Sequence, residues 1–340
     1  MRDDRVPIVF AIDVEPDEPE FLPGSCAPWR GFEGCIELTA RLRDSLAPAV
    51  GGDVALTWFV RMDPQITTGY GAPTWAADAY ARQFSELCAQ GDEIGLHVHA
   101  WRWLDNDGRW SAELTDPAWL EQCMDVSFDA YRRAFGQPCL AHRSGDRFMS
   151  NALLDLVRAR GITVDLTPEP GLRGLPTRPG RPHTEPIPDM ALVPRQPYFP
   201  SPTDWRRPSA SGVPDADGLL FIPLASADPG PLLGRSRAAA RRVRNVGRPL
   251  HRPLLPWADD LGPRIWDVIA RDVDRGTLTA LAFAVRSHVG VESRTAQTLM
   301  HSIDALSRHS LATRLEFVTA SVARSRVVAR PESLAVASRP

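Results

Sequence analysis

The chain has 340 residues, 43% of them hydrophobic and 24% charged, and a formal net charge of -3. That length supports a large α/β domain with a sizeable core, and the composition excludes a wholly disordered polymer. All 39 basic residues are arginine; a charge so near zero gives no electrostatic reason to expect nucleic acid as a partner, and no apolar run reaches the length of a membrane span.

The five cysteines, Cys26, Cys35, Cys88, Cys123 and Cys139, are odd in number and form no Cys-x-x-Cys pair. Neither a disulfide framework nor a Cys-rich zinc site is expected, which suits a reducing compartment. The N-terminal apolar run meets an acid within a few residues, too soon for a signal-peptide core. The expected location is therefore cytoplasmic.

In chain order, the first near-continuous apolar run is Val6 to Ile12, which reads as a strand covered on both faces. It ends in Asp13-Val14-Glu15. A helix is expected over Gly34 to Leu46, where Ile36, Leu38, Leu42 and Leu46 share a face. A second strand, Val54 to Val60, precedes a helix over Trp75 to Gln90 that Gly91 stops. The third strand, Glu93 to Val98, ends in His97-Val98-His99. Helices over Pro117 to Phe135, with Asp116 as N-cap and Gly136 as stop, and over Ser150 to Arg160 follow. Further strands are expected over Ile162 to Leu166, Leu219 to Leu224 and Thr279 to Val285. Alternating β and α units imply a parallel sheet, open or closed into a barrel. Between them Pro168 to Asp217 is proline-rich and aperiodic, an excursion decorating one domain over residues 1–326, with a frayed tail at 327–340. Arg235 to Arg248 is locally basic and reads as a solvated helix face.

Ionisable residues at the carboxyl ends of parallel strands occupy the site face of such folds. Asp13 and Glu15, two apart in extended backbone, point to one side and could share an ion or divide base and ligand roles. His97 and His99 have the same spacing, and neutral imidazole is the commonest protein ligand for zinc-like ions. His288 follows another buried strand. His142 and Arg143, before Ser144-Gly145-Asp146, sit in the turn ahead of a helix, where arginine could bind a substrate carboxylate, orient an acid, or cap and neutralise the surface. His183, His251, His301 and His309 read as structural or surface residues.

The order of these segments, AIDVEPD, TWFVR, GDEIGLHVHAW, HRSG before a helix that ends in Gly-Ile-Thr-Val-Asp, and a late strand closing on His288, resembles the divergent branch of the NodB-type polysaccharide deacetylases. The resemblance implies a distorted parallel (β/α)7 barrel and a divalent metal ion, usually zinc. It implies Glu15, His97 and His99 as metal ligands, Asp13 as general base, Arg143 holding that base with Asp165 as its partner, and His288 as general acid. The implied reaction removes an N-acyl group from a glycan or a small sugar-containing substrate. Two departures stand out. Val14 separates two acids that are adjacent in the common pattern, so Asp13 and Glu15 could exchange roles; and the histidines are two apart where the common pattern has them four apart. A catalytically silent carbohydrate-binding barrel and a C–N hydrolase of non-sugar amides are the alternatives.

Overall fold

A computed structural model describes residues 5–18, 21–174, 188–210, 218–227, 252–254, 262–330, 332 and 334. The strands are β1 (Val6–Val14), β2 (Thr57–Arg61), β3 (Glu93–Val98), β4 (Trp101–Leu104), β5 (Arg109–Ala112), β6 (Ala141–Ser144), β7 (Val164–Asp165), β8 (Leu220–Phe221), β9 (Ser226–Ala227), β10 (Arg252–Pro253), β11 (Leu281–Arg286) and β12 (Leu315–Phe317). The main sheet runs β11-β1-β2-β3-β6-β7-β8, with β12 beside the first residues of β1. Every pairing in it is parallel. Just past β8 the Ala225 N–H donates to the Ala282 carbonyl on β11 at 2.8 Å, bringing the far edge back to the near one. The fold is a distorted parallel (β/α)7 barrel.

Strand periodicity sorts the residues onto two faces. Val9 and Ala11 of β1, Phe59 of β2, Ala141 of β6, Val164 of β7, and Ala282 and Ala284 of β11 form a small inner cluster. Alternate residues such as Phe10, Ile12, Trp58, Leu96 and Phe283 join the larger outer core under the helices. The interior admits little volume: a Cβ on Gly95 would lie 2.6 Å from the Phe59 ring. Small residues fill the floor of the barrel, and the polar residues stand above them at the carboxyl ends of the strands.

The helices follow their caps. Asp116 accepts hydrogen bonds from the Ala118 and Trp119 N–H groups to start Pro117–Phe135, which ends at Gly136 in left-handed backbone (φ 66°) that a side chain would disfavour. The first helix, Arg30–Val50, exceeds the expected Gly34–Leu46 at both ends. The helix expected over Trp75 to Gln90 is broken at Tyr80 into Trp75–Ala79 and Ala81–Ala89. The hairpin β4–β5, turned at Asp105-Asn106-Asp107-Gly108, and the four-residue β6, too short to show a period, are among the elements not expected from periodicity.

Of the Pro168–Asp217 excursion, residues 168–174 and 188–210 are described. Tyr198 and Trp205 are buried against Phe221, at ring separations of 5.4 and 6.5 Å, so these aromatics pin the segment to the barrel. Helix Ala320–Val328 runs past residue 327, from which a frayed tail is expected, and Val327 and Leu334 are buried. The basic stretch at Arg235–Arg248 lies outside the described residues. Among the described residues no helix is long and apolar enough to cross a membrane.

Candidate metal centre

At the mouth of the barrel the inner-face positions become charged. Asp13 and Glu15 continue the Val9, Ala11 series of β1; Arg61 follows Phe59; His97 and His99 follow Gly95; Arg143 follows Ala141; and Arg286 follows Ala284. Glu15, His97 and His99 are buried, and one ligating atom of each lies within 4.8 Å of the others.

The histidine tautomers follow from their partners. His97 Nδ1 lies 2.8 Å from the Arg143 carbonyl oxygen, which can only accept, so Nδ1 carries the proton and Nε2 bears a lone pair. His99 Nδ1 lies 3.0 Å from Asp146 Oδ2, which fixes the same tautomer. The two Nε2 atoms face each other at 3.1 Å, and His99 Nε2 lies 3.6 Å from Glu15 Oε2. That oxygen is buried and has no hydrogen-bond partner among the described residues. Three electron-pair donors thus converge around one point, an arrangement that needs a positive charge. The spacings resemble the edges of about 3.3 Å expected between nitrogen or oxygen ligands held tetrahedrally at about 2.0–2.1 Å. The residues fit a divalent ion.

The electrostatics of the two rings differ. Burial, opposed by Asp13, pushes His97 down to about 4, so its ring is neutral at ordinary pH. Burial and Arg61 also disfavour charge on His99, but Asp146 and Glu15 outweigh them and raise its pKa. Burial would raise Glu15, yet His99 and Arg286 hold it well below the usual carboxylate range.

Asp13 stands beside this centre and is fixed by Arg143, whose Nε donates to its two carboxylate oxygens at 3.0 and 3.1 Å. Arg143 is itself held by the Leu166 carbonyl at 2.9 Å and by Glu169 at 3.6 Å. Asp165, expected as the partner of Arg143, lies on the outer face, where it meets His142 Nδ1 at 2.7 Å and the Thr167 N–H at 2.7 Å. Strand parity decides this, because Asp165 pairs in register with outward-facing His142 while Arg143 points inward.

His288 lies beyond the strand. The strand ends at Arg286 and the chain turns into a 3-10 helix over Ser287–Gly290, so the two-residue period fails before His288. Its ring is directed to Glu292 at 3.8 Å. The inner-face residue at the end of β11 is Arg286, whose Nε donates to Glu15 Oε1 at 2.5 Å. Counting back by two from the His288 position along LAFAVRSH would have found it.

Asp146 was legible only as part of a turn. Its carboxylate takes both His99 Nδ1 and Trp101 Nε1, from a backbone with φ 52° followed by Arg147 at φ 57°, consecutive left-handed non-glycine residues of the kind that collect at functional sites. Arg61 and Asp63 form a buried bidentate pair at 2.8 and 2.9 Å, and Asp63 also accepts the His99 N–H at 3.2 Å, fixing the end of β3.

A parallel (β/α)7 barrel with a carboxylate–dihistidine cluster at its mouth has the polysaccharide-deacetylase fold. No family model matches the chain, and no curated protein matches it. Among solved structures it is similar to a protein from Mycobacterium smegmatis assigned as a polysaccharide deacetylase, at 13% identity and TM-score 0.50, over 100% of this chain and 96% of that one. A protein from Pseudomonas aeruginosa PAO1 with the same assignment gives 15% identity and TM-score 0.51 over 96% and 92%. One from Parabacteroides distasonis, assigned as a glycoside hydrolase/deacetylase, gives 12% and 0.53 over 95% and 71%. At these identities the likeness is one of fold.

Proposed function

We propose that the chain is a metal-dependent hydrolase that removes an N-acyl group, acetyl above all, from a sugar-containing or related small substrate. The observation that carries this reading is the convergence of the unpartnered Glu15 Oε2 on the two bare imidazole nitrogens, with a clamped carboxylate, Asp13, beside them.

Glu15, His97 and His99 would hold the ion, and zinc suits their nitrogen and oxygen donors. When bound, such an ion acidifies water and polarises an acyl oxygen. Asp13 accepts the proton of the attacking water. Arg143 keeps the Asp13 carboxylate in one orientation, so that less of the barrier goes into positioning it. Asp146 keeps the proton on His99 Nδ1, and the Arg143 carbonyl does the same for His97, so both rings keep Nε2 as a lone-pair donor. The departing amine needs a proton, and because His288 is turned toward Glu292, Asp13 returns the one it accepted.

Metal analysis of the purified protein and acetate release from a panel of N-acetyl sugars and cyclic amides test the reading. Asp13→Asn is expected to retain metal and lose about 10²- to 10⁴-fold in turnover. Folded protein that hydrolyses these amides without metal, or an Asp13→Asn variant of undiminished turnover, would overturn it.

A further inference from the structure

Arg286 serves no step above. Its Nε is committed to Glu15 Oε1, and Glu15 is its one hydrogen-bond partner among the described residues. Its side chain is 49% exposed, whereas that of Glu15 is 4% exposed, so the guanidinium reaches from the buried ligand to the opening. In register it is the β11 partner of Asp13, which places it directly beside the base.

The surrounding carboxylates are already engaged. Asp13 is clamped by Arg143, Asp146 by His99 and Trp101, and Glu169 lies 3.6 Å from Arg143 and 3.3 Å from Arg147. Among the described residues the outer edge of Arg286 therefore has no uncommitted acid to meet. A guanidinium has five N–H donors in a planar fork, and two parallel donors match a carboxylate. A cation beside the place where Glu15 and the histidines would hold another is unfavourable by itself, and an anion on its outer edge relieves that repulsion.

We infer that Arg286 makes this mouth selective for an N-acylated amine that also carries a carboxylate, which the outer edge of the guanidinium holds while its Nε keeps Glu15 in place. The inference rests on the hydrolase reading and narrows its substrate class. An acidic N-acyl sugar and an N-acyl amino acid share the required chemistry, and matched probes tell them apart.

The test is calorimetric binding to metal-loaded protein of two pairs that differ in the carboxylate: N-acetylglucosaminuronate against N-acetylglucosamine, and N-acetylalanine against N-acetylalaninamide. In at least one pair the acid is expected to bind about tenfold or more tightly, as a charge-assisted bidentate contact provides. That preference should fall to near unity in Arg286→Gln and survive in part in Arg286→Lys. The pair that responds identifies the sugar or the amino-acid source. Equal or undetectable binding of acid and neutral partner in both pairs, or a preference that persists in Arg286→Gln, overturns the inference. Metal content and acetate release with the neutral sugar report on the hydrolase reading separately, so the failure of one leaves the other standing.

Discussion

Two imidazole–carboxylate pairs with buried rings lie near the same strand ends, one on each face of the sheet. On the inner face His99 Nδ1 is 3.0 Å from Asp146; on the outer face His142 Nδ1 is 2.7 Å from Asp165. Each carboxylate fixes the tautomer of its ring; both rings and Asp165 are buried, while Asp146 is half-buried. They differ in what the second nitrogen meets. His99 Nε2 faces His97 Nε2 and Glu15 Oε2, whereas His142 Nε2 has no hydrogen-bond partner among the described residues. A carboxylate–histidine pair prepares a ligand; converging lone pairs are what make a metal centre.

Mutations and pH can break or sharpen that contrast. The largest effect is expected from His97→Ala, which should abolish both metal binding and turnover while circular dichroism stays native; stoichiometric metal in the variant would contradict the inner-face assignment.

Acidification of metal-free protein should come next. His97 is held near 4 against an ordinary 6.5, so between those values the unfolded chain takes a proton that the folded chain refuses. Stability present above pH 6.5 is thus lost as pH falls through this window, by about 3 kcal/mol. Glu15 adds loss in the same direction at lower pH, while the raised His99 opposes it. Urea titrations of wild type and His97→Gln across this range isolate the His97 share, and parallel curves would refute it.

A smaller effect is expected at Gly145. A Cβ there would stand 2.3–2.4 Å from atoms of the His99 ring, forcing the ring from Asp146. Gly145→Ala should weaken metal affinity by roughly 10- to 100-fold in competition with a chelator. On the outer face, His142→Gln should cost about 1–3 kcal/mol through the stranded Asp165 carboxylate and leave metal affinity unchanged. A drop in affinity would mean that the two faces are coupled.

Much of this arrangement was legible in the sequence. Asp13-Val14-Glu15 and His97-Val98-His99 each have the two-residue spacing that points both members to one face, and each ends an apolar run long enough to reveal a strand. The same spacing explains why His99 reaches the centre although its separation from His97 departs from the pattern it resembles. β6 was illegible because four residues carry no period. The positions of Asp165 and His288 have one origin in strand parity, which reverses across His142-Arg143 and lapses where β11 turns into a 3-10 helix.

The sequence by itself determined the parallel α/β architecture, the acid and histidine pairs at two strand ends and the terminator of the Pro117–Phe135 helix, because each depends on neighbours within a few residues. Only the tertiary structure decided that Arg143 clamps Asp13 across 130 positions, that Arg286 clamps Glu15 across 271, and that Asp146 rather than Asp165 serves the centre. Those contacts depend on barrel curvature and strand register, which bring distant strand ends to one mouth and which no local pattern of residues specifies.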